Sequence, residues 1–275
     1  MKLSDEMITS RRNPTVVEAV KLSERKAREK EGLFRFDGLK LFGEAIEKGV
    51  CIERILICES RAENIIPRLK ECEALESAII SVLSDEVFSK VSEEQAPEGL
   101  ICIARFPRKH IRGAGVAEVA LAADDKSRRI MMLESVRDPG NMGTVMRSAA
   151  AFGVDTLMIS RDCADIYNPK TVRGAMGALF KLNILVLDDI CQAIERLKES
   201  GRRVYAAALD KTAVRLDETT FSPCDVALVG NEGHGLSERA ITASSQSLYI
   251  PMEEGSESLN AGVAASVILW SMYRR

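Results

Sequence analysis

The chain reads as an α/β protein in two parts, and three features carry that expectation. Two series of short apolar runs alternate with segments of helical period, one over residues 1–107 and one over 128–275. Runs of the second series such as "NILVL" and "VALV" are nearly continuously apolar, as strands of a parallel sheet covered on both faces should be. Three of these runs end in polar or glycine-rich loops, at the carboxyl ends where open α/β sheets bind ligands.

The elements follow in order. Val16, Ala19, Val20, Ser23 and Ala27 recur at helical spacing among charges, so 15–30 is expected to be an amphipathic helix. "LFRFD" (33–37) is a strand, 38–49 a helix stopped by Gly49, and "IERILIC" (52–58) a strand. Residues 65–72, 78–84, 85–92 and 98–106 continue as helix, strand, helix and strand. "RKHIRGAGVAEVALAADDKS" (108–127), with weak periodicity and two glycines, reads as a linker. Beyond it, "RIMMLESV" is a strand ending at a Pro-Gly-Asn turn, 142–152 a helix closed by Gly153, and "TLMIS" a strand. A helix over 168–180 opens with Asn168 and Pro169. Strand "NILVLD", helix "DICQAIERLKES", strand "RVYAAAL", strand "DVALVG", helix "GLSERAITAS", strand "SLYIPM" and a terminal helix over 259–273 complete the series.

Composition narrows the function classes. At 46% hydrophobic and 29% charged, the 275 residues have a globular profile with room for two domains. Net charge is −3, which argues against a protein that coats nucleic acid by bulk charge. Residues 11–40 nevertheless hold nine basic side chains against five acidic ones, a candidate RNA-contacting patch or simply a solvated helix face. Seven scattered cysteines form no C-x-x-C pair, so neither a disulfide framework nor a metal site is expected, and they read as small buried hydrophobes. "MKLSDEMITSRRNP" has no apolar signal core, and "LNAGVAASVILWSMY" falls short of the roughly 20 residues that span a bilayer. A cytoplasmic location with no membrane partner is expected.

Motif chemistry narrows them further. "GNEGHGLS" places Gly230, Gly233 and Gly235 around Asn231 and Glu232, so the backbone can approach a ligand closely. It matches neither the dinucleotide fingerprint nor the P-loop, and "GAGVAE" (113–118) has Glu118 where a third glycine belongs. A nucleotide-dependent oxidoreductase is therefore disfavoured. There is no G-x-S-x-G elbow, and His110 and His234 are the only histidines, which disfavours a Ser-His-Asp hydrolase.

Taken together, "NMGTVMRSAAAFGVD", "LVGNEGHGLS" and "IPMEEGSESLNAGVAASVILW" resemble, in order and spacing, the three motifs of the SpoU branch of the SPOUT superfamily, the S-adenosylmethionine-dependent RNA ribose 2′-O-methyltransferases. The resemblance covers roughly residues 128–275. The first part, through "FRFDGLKLFGEAIEKG" and "APEGLICIA", is similar to the family's L30e-like substrate-binding module, with Asp37 where a glutamate is usual. The resemblance implies a deep trefoil knot near the C-terminus, S-adenosylmethionine held by backbone groups, a homodimer, and an RNA substrate, ribosomal RNA before transfer RNA. Antibiotic-resistance methylation and a non-catalytic RNA-binding protein of the same fold are the alternatives it leaves. By motif position, Gly230, Ile250 and Leu259, with Asn231 and Gly233 beside them, would contact the donor. Asn141, Arg147, Glu232, Ser258 and Asn260 would form the polar catalytic group.

The chemistry fits these residue types. Methyl transfer to a ribose hydroxyl gains chiefly from alignment and exclusion of water, yet the hydroxyl is a poor nucleophile that something must polarise. A guanidinium stays charged and is a poor base, so Arg147 is expected to bind a neighbouring phosphate and polarise the hydroxyl. Glu232 could pair with Arg147 or accept backbone amides. Asn141 and Asn260 would orient Arg147 and the loops, and Ser258 and Asn260 could also cap the terminal helix. An apolar stripe on that helix (Val263, Val267, Ile268, Trp270) would be core or dimer surface.

Overall fold

Strands and helices alternate along the whole chain in the computed structural model, which describes every residue except 1, 5, 73, 74, 76, 95, 254–257 and 275. The chain divides into one unit of Met1–Pro107 with Tyr167–Arg173, and another of Arg108–Ile166 with Gly174–Arg275.

The first unit contains β1 (Lys2–Leu3), α1 (Pro14–Lys21), α2 (Arg25–Glu31), β2 (Leu33–Asp37), α3 (Leu39–Glu47), β3 (Ile52–Cys58), α4 (Ala62–Lys70), β4 (Ile79–Leu83), α5 (Asp85–Val91) and β5 (Leu100–Arg105). Its mixed sheet runs β1-β4-β3-β5-β2, with β5 antiparallel to both neighbours. Leu56, Ile101, Ile103 and Phe88 are fully buried in its core, each worth about 2 kcal/mol over exposure. The single helix expected over 15–30 is two. Arg28 turns back to donate to the carbonyls of Leu22 (2.7 Å) and Ser23 (2.6 Å), satisfying the end of α1 where the chain breaks before α2. Arg28 and Arg35 are both buried, Arg35 donating to Val91 O at 2.7 Å, so two of the nine basic side chains in 11–40 are unavailable to a nucleic acid.

The second unit is built on eight strands. The stretch 108–127 is not a linker: it holds β6 (His110–Ala114) and α6 (Val116–Asp124), which buries Val119, Ala122 and Ala123. β6 lies at a sheet edge, where only one side is paired and exposed Arg112 and Gly113 are tolerated, so no strand pattern showed. Then come β7 (Ile130–Leu133), α7 (Pro139–Ala151), β8 (Thr156–Ser160), α8 (Pro169–Ala175), whose residues up to Arg173 belong to the first unit, α9 (Ala178–Lys181), β9 (Asn183–Leu187), α10 (Ile190–Glu199) and β10 (Val204–Ala207). β11 (Val214–Arg215), β12 (Val226–Val229), α11 (Glu238–Ala243), β13 (Gln246–Tyr249) and α12 (Ala261–Tyr273) follow. Met176, at φ 53°, separates α8 from α9, which were expected as one helix.

The sheet order is β11-β13-β10-β12-β7-β8-β9-β6, and every pairing is parallel. From β7 the chain moves outward through β8 and β9, then crosses back to lay β10, β12 and β13 on the other side. That reversal places the loops after β7 and β12 side by side at the carboxyl edge, the position where such sheets open a crevice. α10 shows the local logic of the layers: Ile190, Ala193, Ile194 and Leu197 recur at helical spacing and are buried, while Asp189 caps the amides of Cys191 (2.8 Å) and Gln192 (3.3 Å). α12 packs on α7, where Ser148 and Ser266 share a 2.7 Å hydrogen bond and a Cβ on Gly262 would stand 3.2 Å from Thr144.

Candidate functional site

α7 starts three residues earlier than its periodicity indicated. Asp138 is its N-cap, accepting from Asn141 N at 2.8 Å, and Pro139 occupies the first helical position, so Pro-Gly-Asn is the helix's first turn and not a separate one. Asn141 is thereby fixed at the helix mouth, facing the loops after β12 and β13. Its Nδ2 donates to Glu232 Oε1 at 2.7 Å, and its Oδ1 accepts from Asn260 Nδ2 at 2.9 Å. Asn260 caps α12 at the same time, its Oδ1 accepting from Gly262 N (2.9 Å) and Val263 N (3.3 Å). The directions are forced: a carboxylate only accepts, so each amide must present its NH₂ towards Glu232 and its oxygen towards α12.

The glycine loop is organised by Asn231. Its backbone exchanges two hydrogen bonds of 3.0 Å with Gly235. Its Oδ1 accepts from Gly233 N (2.8 Å) and His234 N (3.1 Å), and its Nδ2 donates to Ser135 O at 2.8 Å. Gly230 must be glycine, because a Cβ there would lie 2.5 Å from Gly235 C and 2.6 Å from its oxygen. The amides of Gly233, His234 and Gly235 are all spent inside the loop, so they do not form a phosphate cradle.

A cavity of about 630 Å³ opens beside this loop. Gly230, Asn231, Glu232 and Gly233 form one wall, and Ile250, Ser258 and Leu259 another. The sequence did not mark the third wall, made by Ala207, Ala208 and Leu209 after β10 with Ala261, Ala264 and Ile268 of α12. Small apolar residues carry no motif, although the carboxyl end of a neighbouring parallel strand is itself a signal. The charged residues among the described lining are Glu232 and Glu253, both acidic.

Arg147 stands apart. It is exposed on α7, does not line the cavity, and makes no hydrogen bond or ion pair among the described residues. Neither of the partners expected for Glu232, Arg147 or backbone amides, is found on it among the described residues: the side-chain amides of Asn141 and Asn231 donate to that carboxylate. Behind the loops, Asp162 accepts from Ser135 Oγ (2.6 Å), Ser160 Oγ (2.7 Å) and Arg137 (3.0 Å). Burial pushes its carboxyl up, but these three donors outweigh that and bring it down to about 2. Among the described residues no group of His, Cys, Asp and Glu could hold a metal ion, and no helix is long and apolar enough to cross a membrane. Cys102 and Cys163 are buried as expected of small hydrophobes, whereas Cys58, Cys72, Cys191 and Cys224 are half-buried and Cys51 is exposed.

The comparisons agree with the geometry. Residues 128–270 match the SpoU rRNA Methylase family, and residues 13–102 match the MRM3-like substrate binding domain. The 23S rRNA (guanosine(2553)-2′-O)-methyltransferase RlmP of Bacillus subtilis is 30% identical over 96% of this chain and 98% of its own. A crystal structure of an RNA 2′-O ribose methyltransferase is 27% identical, with a TM-score of 0.78 over 98% of each chain. The AdoMet-bound rRNA methyltransferase from Sinorhizobium meliloti has the same fold, with a TM-score of 0.82 at 24% identity over 98% of this chain and 97% of its own. With one family model spanning more than half its length and a full-length relative at that identity, the chain is a member of the SpoU rRNA methylase family.

Proposed function

We propose that this protein transfers the methyl group of S-adenosylmethionine to a ribose 2′-hydroxyl in ribosomal RNA, working as a cytoplasmic homodimer. The observation that carries the reading is the relay Asn260–Asn141–Glu232, which joins all three motif segments and ends on Glu232 in the cavity wall. The cavity suits the donor on physical grounds. It is lined by small and aliphatic groups, its described charges are two carboxylates, and its glycine-loop amides are already engaged. A phosphate-bearing cofactor would meet negative charge and few donors there, whereas a sulfonium with an ammonium group meets complementary charge. Bound there, S-adenosylmethionine supplies an electrophilic methyl group.

The chain's own residues then have separable tasks. Gly230, Asn231, Gly233, Ile250 and Leu259 hold the donor and keep water out. Asn141, Glu232, Ser258 and Asn260 set the shape of the acceptor side. Arg147, charged and exposed, binds the phosphate next to the target ribose and polarises the hydroxyl, whose proton leaves to a phosphate oxygen or water. The dimer has support in α12: Val263, Trp270 and Tyr273 are 47–50% exposed, apolar surface that a second copy would cover. Residues 1–107 serve as the RNA-binding domain, and the trefoil knot belongs to the same reading.

The test is direct. Protein incubated with radiolabelled S-adenosylmethionine and ribosomal RNA from cells lacking the gene should label one site, mapped by resistance of its 3′-phosphodiester to alkali. Binding of RNA with neither donor binding in calorimetry nor methyl incorporation would leave an RNA-binding protein of this fold in its place.

A further inference from the structure

Directly after β7, Glu134 is 9% exposed, yet its carboxylate has no cation paired with it among the described residues. Burying such a group costs several kcal/mol unless donors surround it, and an aliphatic side chain would extend β7 more cheaply. Both of its oxygens go to one residue. Oε2 accepts from Ser237 N and Oε1 from Ser237 Oγ, each at 2.8 Å, across 103 positions of sequence. Ser237 is where the chain leaves the glycine loop and enters α11, its hydroxyl also capping Ala240 N at 3.2 Å.

The next residue grips the other end of that loop. Ser135 is one of two non-glycine residues with positive φ among the described residues, at 56°, and its carbonyl accepts from Asn231 Nδ2 at 2.8 Å. A serine in that region is strained, and the surrounding structure holds it there: its amide donates to Ser160 Oγ at 2.8 Å and its hydroxyl to Asp162 at 2.6 Å. Two consecutive residues thus secure the entry and the exit of the 231–237 segment, and neither lines the cavity.

We infer that Glu134 and Ser135 are positioning residues that hold the glycine loop in the shape that receives the donor, acting on donor affinity and not on RNA affinity or on the acceptor chemistry. The inference rests on the cavity being the S-adenosylmethionine site. Glu134→Gln keeps size and shape, but its NH₂ replaces an accepting oxygen opposite Ser237 Oγ, so the bond that hydroxyl donates to the carboxylate is lost. Ser237→Ala removes the hydroxyl, and Ser237→Thr restores it.

The test is a double-mutant cycle on S-adenosylmethionine affinity by calorimetry, with steady-state kinetics and hydrogen exchange of the loop amides in the unliganded protein. Loss of a hydrogen bond to a carboxylate predicts about tenfold weaker binding for Glu134→Gln and for Ser237→Ala, with the double variant no worse than the weaker single. Ser237→Thr should recover to within about threefold, and kcat and the RNA KM should stay near wild type, with faster exchange confined to residues 231–237. Unchanged affinity and exchange in both single variants, additive losses, or a fall in kcat with affinity intact would each overturn the assignment. If the wild-type protein binds no S-adenosylmethionine, the functional reading fails, while the exchange data alone still decide whether Glu134 holds the loop.

Discussion

Asn260 donates to Asn141 at 2.9 Å while its carbonyl oxygen caps α12, so one side chain serves both helix stability and the shape of the site. The two roles separate chemically. Aspartate caps a helix as well as asparagine does, but it cannot donate to Asn141 Oδ1 and would set two acceptors face to face. Asn260→Asp should therefore keep its thermal stability and lose methyl transfer by about tenfold or more. Asn260→Ala should lose both, with about 1 kcal/mol of stability gone with the cap. Paired thermal melts and single-turnover assays distinguish them; equal activity in Asn260→Asp and wild type would mean the relay is dispensable.

Arg147 is exposed and makes no hydrogen bond or ion pair among the described residues that a substitution could break. Arg147→Ala and Arg147→Lys should both stay within about 0.5 kcal/mol of wild type in denaturant unfolding. Methyl transfer should nonetheless fall by about 100-fold or more in the alanine variant, the scale of losing one transition-state donor. Lysine should rescue little, since it offers a point charge without the planar fork. Near-normal turnover in Arg147→Lys would refute bidentate positioning.

Gly230 is constrained by space and not by backbone angle. Its missing Cβ would stand 2.5 Å from a backbone carbon of Gly235, which cannot swing aside as a side chain could. Gly230→Ala should cost about 1–3 kcal/mol through overpacking and abolish detectable donor binding, because the loop must open at its narrowest point. Calorimetry on the folded variant checks this, and wild-type affinity would show that the loop adapts.

How much of this was legible depended on the range of the interaction. α10 and α12 were readable because their patterns repeat locally, and the three loops because glycine and polar residues interrupt apolar runs. The couplings among those loops were not: Asn141 meets Glu232 across 91 residues and Asn260 across 119, and nothing at one position reports the other. β6 and α6 were lost to the linker reading since an edge strand shows half a pattern, and Arg28 and Arg35 looked like surface charge because carbonyl partners leave no mark in sequence. Glu134 drew no notice because its partner, Ser237, lies 103 residues away.

In the first unit, burial raises the Asp37 carboxyl to about 6 from an ordinary value near 3.8, against the opposing pull of the Ser92 hydroxyl at 3.0 Å and of Arg35, with Glu94 and Glu93 adding repulsion. A raised folded-state value means that the folded form holds its proton more tightly. Stability is therefore fullest below about pH 4 and declines as pH rises through about 6. Asn keeps an acceptor for Ser92 and carries no charge, so Asp37→Asn should be more stable than wild type at pH 8 and indistinguishable near pH 4, by urea midpoint. An equal gain at both values would point to packing and not to ionisation.

His110 has the opposite slope. Burial first, and the neighbouring Lys109 charge second, lower its ring from an ordinary 6.5 to about 3, while Leu182 O lies 3.3 Å from Nε2. The unfolded chain then takes up a proton that the folded one refuses, so this contribution is complete above about pH 6.5 and is lost as pH falls towards 3. Ring chemical shifts should show His110 still neutral at pH 5. A His110 midpoint near 6.5 in the folded protein would mean that β6 does not hold this ring against the sheet, and the edge assignment of residues 110–114 would fall with it.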